Sequence, residues 1–167
     1  NVCVRTKQKG KIKLVTEILD QEGKKVAKAI STSHQADSIF YHQKLQMKSP
    51  HLWSVSSPYL YSVLSKVFVD GKMADCYLTT MGIRSIDFDT NKGFLLNGQP
   101  FKLKGVCLHH DLGPIGAAVN VAALKRQLRL LKEMGSNAIR TSHNPPSREF
   151  LQLTDSMGFV VQVEAFD

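Results

Sequence analysis

Three groups of titratable side chains stand at the ends of three apolar runs. His109, His110 and Asp111 follow residues 103–108, and Glu164 and Asp167 follow residues 159–163. Between them lies Ile139-Arg140-Thr141-Ser142-His143-Asn144-Pro145-Pro146, where Arg, Ser, His and Asn crowd into one short polar string. Imidazoles and carboxylates transfer protons near neutral pH, bind hydroxyl groups or ligate metals, and a guanidinium holds an anion. If the three runs are neighbouring parallel strands, these side chains converge on one rim. That rim is the carboxyl end of the sheet, where α/β folds keep their ligands and chemistry. A His-His-Asp cluster at the end of a first strand also fits a metal-dependent hydrolase.

Hydrophobic periodicity gives the elements that must position these residues. From Asn120, the residues Val121, Leu124, Leu128, Leu131 and Met134 recur at three- and four-residue steps, the spacing of one helical face. Gly135 is the expected stop. A second helical pattern begins near Ser147, buries Phe150, Leu151 and Met157, and stops at Gly158; Asn144 is the expected N-cap, with both prolines tolerated in the first turn. The order is β-α-β-α-β, a pattern of parallel strands joined by right-handed connections. Before it, Phe94-Leu95-Leu96-Asn97-Gly98 reads as a type I′ hairpin.

Upstream of residue 86 the period is two. Alternating runs cover 11–19, 26–30, 39–45, 61–69 and 74–81, with turn signals at Asp20-Gln21-Glu22-Gly23 and Asp70-Gly71. Short strands separated by turns imply an antiparallel sandwich of immunoglobulin-like type. The expected fold is therefore an all-β immunoglobulin-like sandwich over residues 1–85. It is followed by α/β structure over 86–167, the first three strands and two helices of a truncated (β/α)8 barrel. Abrupt ends, with no initiator Met and a stop just after a strand, lead to the expectation of a piece of something longer.

Trp53, the single tryptophan, lies among Pro50, Leu52, Pro58, Tyr59 and Tyr61. It reads as a plug for the end of the sandwich, with a sugar-stacking platform as the sharper alternative. Cys3, Cys76 and Cys107 form no CxxC pair, so buried structural thiols are expected. His34, His42 and His51 stand apart in the sequence, with no neighbour at metal-ligand spacing, and read as structural or solvent-facing. A net charge of +8 raises the question of nucleic acid. The lysines are spread, however, and the densest group, Lys7, Lys9, Lys11 and Lys13, alternates like the wet face of a strand. No stacking aromatics interleave with it, and no nucleic-acid partner is expected. Apolar runs are strand-length, so neither a signal peptide nor a membrane span is read and the compartment stays open.

The strings Phe94-Leu95-Leu96-Asn97-Gly98, Lys104-Gly105-Val106, His109-His110-Asp111, Ile139-Arg140-Thr141-Ser142-His143-Asn144-Pro145 and Glu164-Ala165 resemble glycoside hydrolase family 2. That family holds β-galactosidases, β-glucuronidases and β-mannosidases. The resemblance covers essentially the whole chain and is most specific from Gly82 onward. It implies a retaining β-glycosidase mechanism with two glutamates about 5–5.5 Å apart, on the fourth and seventh barrel strands. Both fall beyond Asp167, so no catalytic residue is expected here and the chain alone should be inactive. The resemblance also implies that Asp111, His143 and Asn144 bind substrate, with His109, Arg140 and Glu164 as supports and His110 of open role. Some β-galactosidases of the family bind magnesium and sodium; the magnesium ligands fall largely past Asp167, so neither metal nor cofactor is expected. The expected partner is a carbohydrate, with β-galactoside favoured by the Leu-His-His-Asp-Leu-Gly string. The rival readings are a non-catalytic sandwich module for binding or spacing, and the metal-dependent hydrolase. An exposed partial barrel should also self-associate.

Overall fold

The computed structural model describes residues 2–5, 10–34 and 39–165. Lys7, Lys9 and Asp167 lie outside the described residues. The chain divides into two compact units, one formed by 1–50 with 60–81 and the other by 51–59 with 82–167.

In the first unit β1 (Val2–Val4), β2 (Ile12–Leu19), β3 (Lys25–Ser33), β4 (Ile39–Tyr41), β5 (Tyr61–Val69) and β6 (Lys72–Met81) form two antiparallel sheets. One sheet runs β3-β2-β5-β6 and the other pairs β1 with β4. Alternation puts Ile12 and Leu14 of β2 on the inner face, where they pack with Val4 and Tyr41 of the smaller sheet. Lys13 points outward between them. Asp70 and Gly71 both adopt positive φ (47° and 81°), the geometry of the type I′ turn that the sequence indicates. The run 39–45 is shorter as a strand than its alternation suggests. Burial still alternates from Tyr41 to Lys48, yet no ladder continues past Tyr41. Period two reports an extended backbone; a ladder also needs a neighbour.

The second unit carries an antiparallel sheet of β7 (Ile86–Asp89), β8 (Gly93–Leu96) and β9 (Gln99–Pro100). The sequence reading included the second and third of these and missed the first. Next come β10 (Gly105–His109), α1 (Val121–Glu133), β11 (Ala138–Ser142), α2 (Arg148–Met157) and β12 (Val160–Val163). The three strands are parallel, in the order β10-β11-β12. Leu124 and Leu128 of α1, Ile139 of β11, Phe150 of α2 and Phe159 form the buried core, with Val106, Leu108 and Val161 against it. The helices thus cover one face of the sheet. Register places Cys107, Arg140 and Gln162 in one row on the other face, and all three are exposed.

Caps fix the helix ends. Asn120 Oδ1 accepts from Ala123 N (3.0 Å) at the start of α1. Ser147, not Asn144, caps α2, its Oγ accepting from Phe150 N (3.2 Å). The prolines therefore precede the helix rather than fill its first turn, and Asn144 is left exposed on the rim.

The loop 51–59 belongs with the barrel strands. Trp53 is fully buried and its Nε1 donates to Asp155 O (2.8 Å). Its backbone N–H donates to Ile83 O (2.8 Å), and its carbonyl accepts from Asn97 Nδ2 (3.0 Å). The Arg84 guanidinium lies 4.4 Å from the centroid of its ring. Trp53 is thus neither a plug for the sandwich nor a platform for a sugar: both its edge and its face are spent within the second unit. The cysteines also differ from expectation, since Cys3, Cys76 and Cys107 are free and exposed. Cys107 faces away from the helices because its even-numbered neighbours, Val106 and Leu108, face them.

Candidate active site

Parallel register brings the ends of β10, β11 and β12 side by side, pairing His109 with Ser142 and Thr141 with Val163. Glu164, one residue past β12, is therefore level with the end of β11. Its backbone N–H donates to Thr141 Oγ1 (3.2 Å), which fixes where the carboxylate starts. Glu164 Oε1 is bonded by the Nε and Nη2 atoms of Arg140. Its Oε2 accepts from Nδ1 of His143 at 3.0 Å. One carboxylate thus holds a guanidinium with one oxygen and an imidazole with the other.

Arg140 has a second neighbour. Its Nη1 lies 3.8 Å from Cys107 Sγ, and the thiol, followed by the Glu164 carboxylate, pushes the guanidinium above its ordinary value. The ring of His143 in turn meets that of His109 edge to face, with centroids 5.5 Å apart. The peptide joining Ser142 to His143 is cis. Arg140, His143, Glu164 and His109 are thus brought together, as the spacing of their strands implies. Cys107 and Thr141 are additions. Period-two alternation, counting two back from His109, marks Cys107 as sharing its face, but its contact with Arg140 depends on register.

Asp111 and Asn144 are not part of that bonded group. Asp111 Oδ1 accepts from Gly113 N (2.6 Å), closing the turn after β10. His110 Nε2 donates to Ala117 O (3.0 Å), bracing the same loop. Asp111 and Asn144 line an open cleft together with His109 and Ser142. His109 is therefore the link, touching His143 on one side and the cleft on the other. Among the described residues no group of three or more His, Cys, Asp or Glu side chains is placed to hold a metal ion. The consecutive His109, His110 and Asp111 instead turn to three different partners.

Behind the rim, Lys132 of α1 donates to Gly158 O (2.6 Å) and Val55 O (3.3 Å) and lies over the ring of Phe159. Burial lowers its affinity for a proton. Burial raises that of Asp155, against the opposing pull of Arg84. These groups tie the loop 51–59 and Arg84 to the end of α2 and the residues that lead into β12. No helix of the described residues is long and apolar enough to cross a membrane.

Comparison with known proteins adds an independent line. The profile described as "Glycosyl hydrolases family 2" matches residues 1–84, and "Glycosyl hydrolases family 2, TIM barrel domain" matches 89–166. The β-galactosidase BoGH2A of Bacteroides ovatus is 46% identical over 158 residues, covering 93% of this chain and 19% of that protein. A crystal structure of a glycosyl hydrolase family 2 member from Bacteroides cellulosilyticus superposes with a TM-score of 0.91 at 40% identity, over 96% of this chain and 21% of that one. A β-glucuronidase from Ruminococcus gnavus, solved with D-glucuronic acid, gives 0.78 at 29% identity, over 92% of this chain and 25% of that one. The chain thus spans about a fifth of the length of the relatives it matches.

Proposed function

The chain belongs to glycosyl hydrolase family 2, and we propose that the protein it comes from is a retaining, exo-acting β-glycosidase acting on terminal β-galactosides. In that mechanism one glutamate attacks the anomeric carbon and a second serves as acid and then base. Neither is assigned to Glu164. Both of its oxygens are engaged by Arg140 and His143, which suits a group that orients others. Arg140 would stand beside the nucleophile, where a fixed positive charge favours the ionised carboxylate. His143 would meet a sugar hydroxyl or the charge that develops in the transition state. Asp111 would accept hydrogen bonds from sugar hydroxyls, which a carboxylate does strongly, with Asn144 beside it and His109 as a support.

The observation that carries this reading is the Arg140–Glu164–His143 constellation at the carboxyl ends of three adjacent parallel strands. The preference for galactose draws on the 46% identity to a β-galactosidase; relatives named β-glucuronidase are also among the matches. The intact protein should be assayed against 4-nitrophenyl β-galactoside, β-glucuronide and β-mannoside. The galactoside is expected to lead in kcat/KM by about 10-fold or more. A leading glucuronide would replace the galactose assignment, and turnover of none would remove the glycosidase reading.

A further inference from the structure

The guanidinium of Arg140 is held from both sides of its strand. Nε and Nη2 face Oε1 of Glu164, one residue past β12, and Nη1 lies 3.8 Å from Sγ of Cys107 on β10. Register sets up this second contact, because Cys107 pairs with Arg140 across β10 and β11 on the face away from the helices. Glu164 alone cannot fix the guanidinium plane. Its other oxygen is taken by Nδ1 of His143 (3.0 Å), so the carboxylate meets Arg140 through a single oxygen, not through the two-oxygen fork that locks a guanidinium. A plane held at one point pivots about it, and the Arg140 side chain is 45% exposed, so little packing opposes the swing. A contact from the opposite strand supplies the second point.

We propose that Cys107 is a positioning residue for the reaction: its thiol holds Nη1 and, with Glu164, fixes the guanidinium of Arg140 beside the nucleophile. The inference rests on the glycosidase reading above and adds a residue to it. Sulfur is a weak acceptor, so its part is to limit rotation, not to bind Arg140 in place. An arginine carries five N–H groups, and with these contacts made each Nη atom keeps a second one. Those two can face a carboxylate from a later strand, provided the plane is held at the right angle. Arg140 is thus faced by Cys107 from β10 and Glu164 after β12 and, through Glu164, by His143 after β11.

The test is steady-state kinetics of the intact protein and its Cys107 variants on the aryl β-glycoside it cleaves fastest, beside their crystal structures. Cys107→Ser keeps an acceptor, Cys107→Val keeps the bulk without one, and Cys107→Ala removes both. Val and Ala are expected to lower kcat about 10-fold with KM little changed, since the contacts of the sugar itself are untouched. The acidic limb of their kcat/KM profile should move to higher pH by about half a unit, because a guanidinium held less closely favours the ionised nucleophile less. Ser should recover most of both. A role in packing alone gives the opposite order, with Val near the wild type and Ser near Ala. That order overturns the proposal, as do unchanged kinetics in Val and Ala, or a Cys107→Ala crystal structure with the guanidinium unmoved. A protein that cleaves no aryl glycoside loses the glycosidase reading separately, while the position of Arg140 in Cys107→Ala still decides whether Cys107 places it.

Discussion

Glu164 serves a guanidinium and an imidazole with one side chain, and that makes it the residue whose chemistry can be tested most directly. Each of its oxygens faces a donor: Arg140 on Oε1, and Nδ1 of His143 on Oε2. Glutamine has the same shape but turns one of those oxygens into a donor. Either the guanidinium then meets an N–H head-on or the imidazole must change tautomer to accept one, and in both cases the carboxylate charge opposite Arg140 is lost. Glu164→Gln in the intact protein should therefore lower kcat/KM by about 100-fold, the usual cost of displacing an active-site group by about an ångström. The thermal midpoint should move little, because Arg140 is half exposed. Steady-state kinetics beside a melting curve checks this, and unchanged kinetics would remove Glu164 from any positioning role. Much of this site can be read in the sequence, because apolar strands ending in polar residues announce a rim. What cannot be read there is pairing. That Arg140 meets Glu164 rather than Asp111 depends on register between strands, which local spacing does not carry. Cys107 misleads because cysteine is among the most buried residue types, and here register puts it on the open face. Asn144 misleads because Ser147 is an equally good cap, and the helix start decides between them.

At the scale of elements, periodicity finds the strands and helices well, but it is silent on what a loop packs against. The segment 51–59 lies between two sandwich strands in sequence, yet Trp53 and Val55 are built into the second unit. The glycine that ends α2 marks this contact in the fold, though in the sequence it reads only as a helix stop. Gly158 has φ +75°, and a Cβ built there would sit 2.4 Å from the carbonyl oxygen of Val55. Gly23 has φ +80° with nothing within 4 Å, so it isolates the backbone cost from the collision. Gly158→Ala should destabilise the protein by about 2–4 kcal/mol, left-handed strain plus overpacking, whereas Gly23→Ala should cost about 1–2 kcal/mol. Denaturant unfolding of both variants measures the difference. Equal losses would mean that the loop yields to the added methyl and does not clamp the helix end.

At the scale of the whole molecule, the two-part order of sandwich then barrel strands is legible because a series of period-two strands gives way, from Asn120 onward, to helical periods alternating with short apolar strands. The remaining question is what a sheet of three parallel strands does with its uncovered side. Among the described residues β10 and β12 each pair only with β11, so both edges of this sheet present backbone groups that no described strand pairs. The face away from the helices presents Cys107, Arg140 and Gln162 to solvent. Parallel sheets are normally covered on both faces, and open edges recruit further strands. Phe88 at 76% exposure, with Ile86 and Leu103 also exposed, adds apolar surface in the same unit. The net charge of +8 opposes association, but at physiological salt that repulsion is screened within about 8 Å, while edge pairing acts at contact. The 167-residue chain prepared by itself should therefore self-associate, with a sedimentation coefficient that rises with concentration, and should bind a hydrophobic surface dye. Raising the salt should promote the association, because it removes the repulsion and leaves the strand edges untouched. A concentration-independent monomer that binds no dye would mean that the open face and edges are satisfied within the chain.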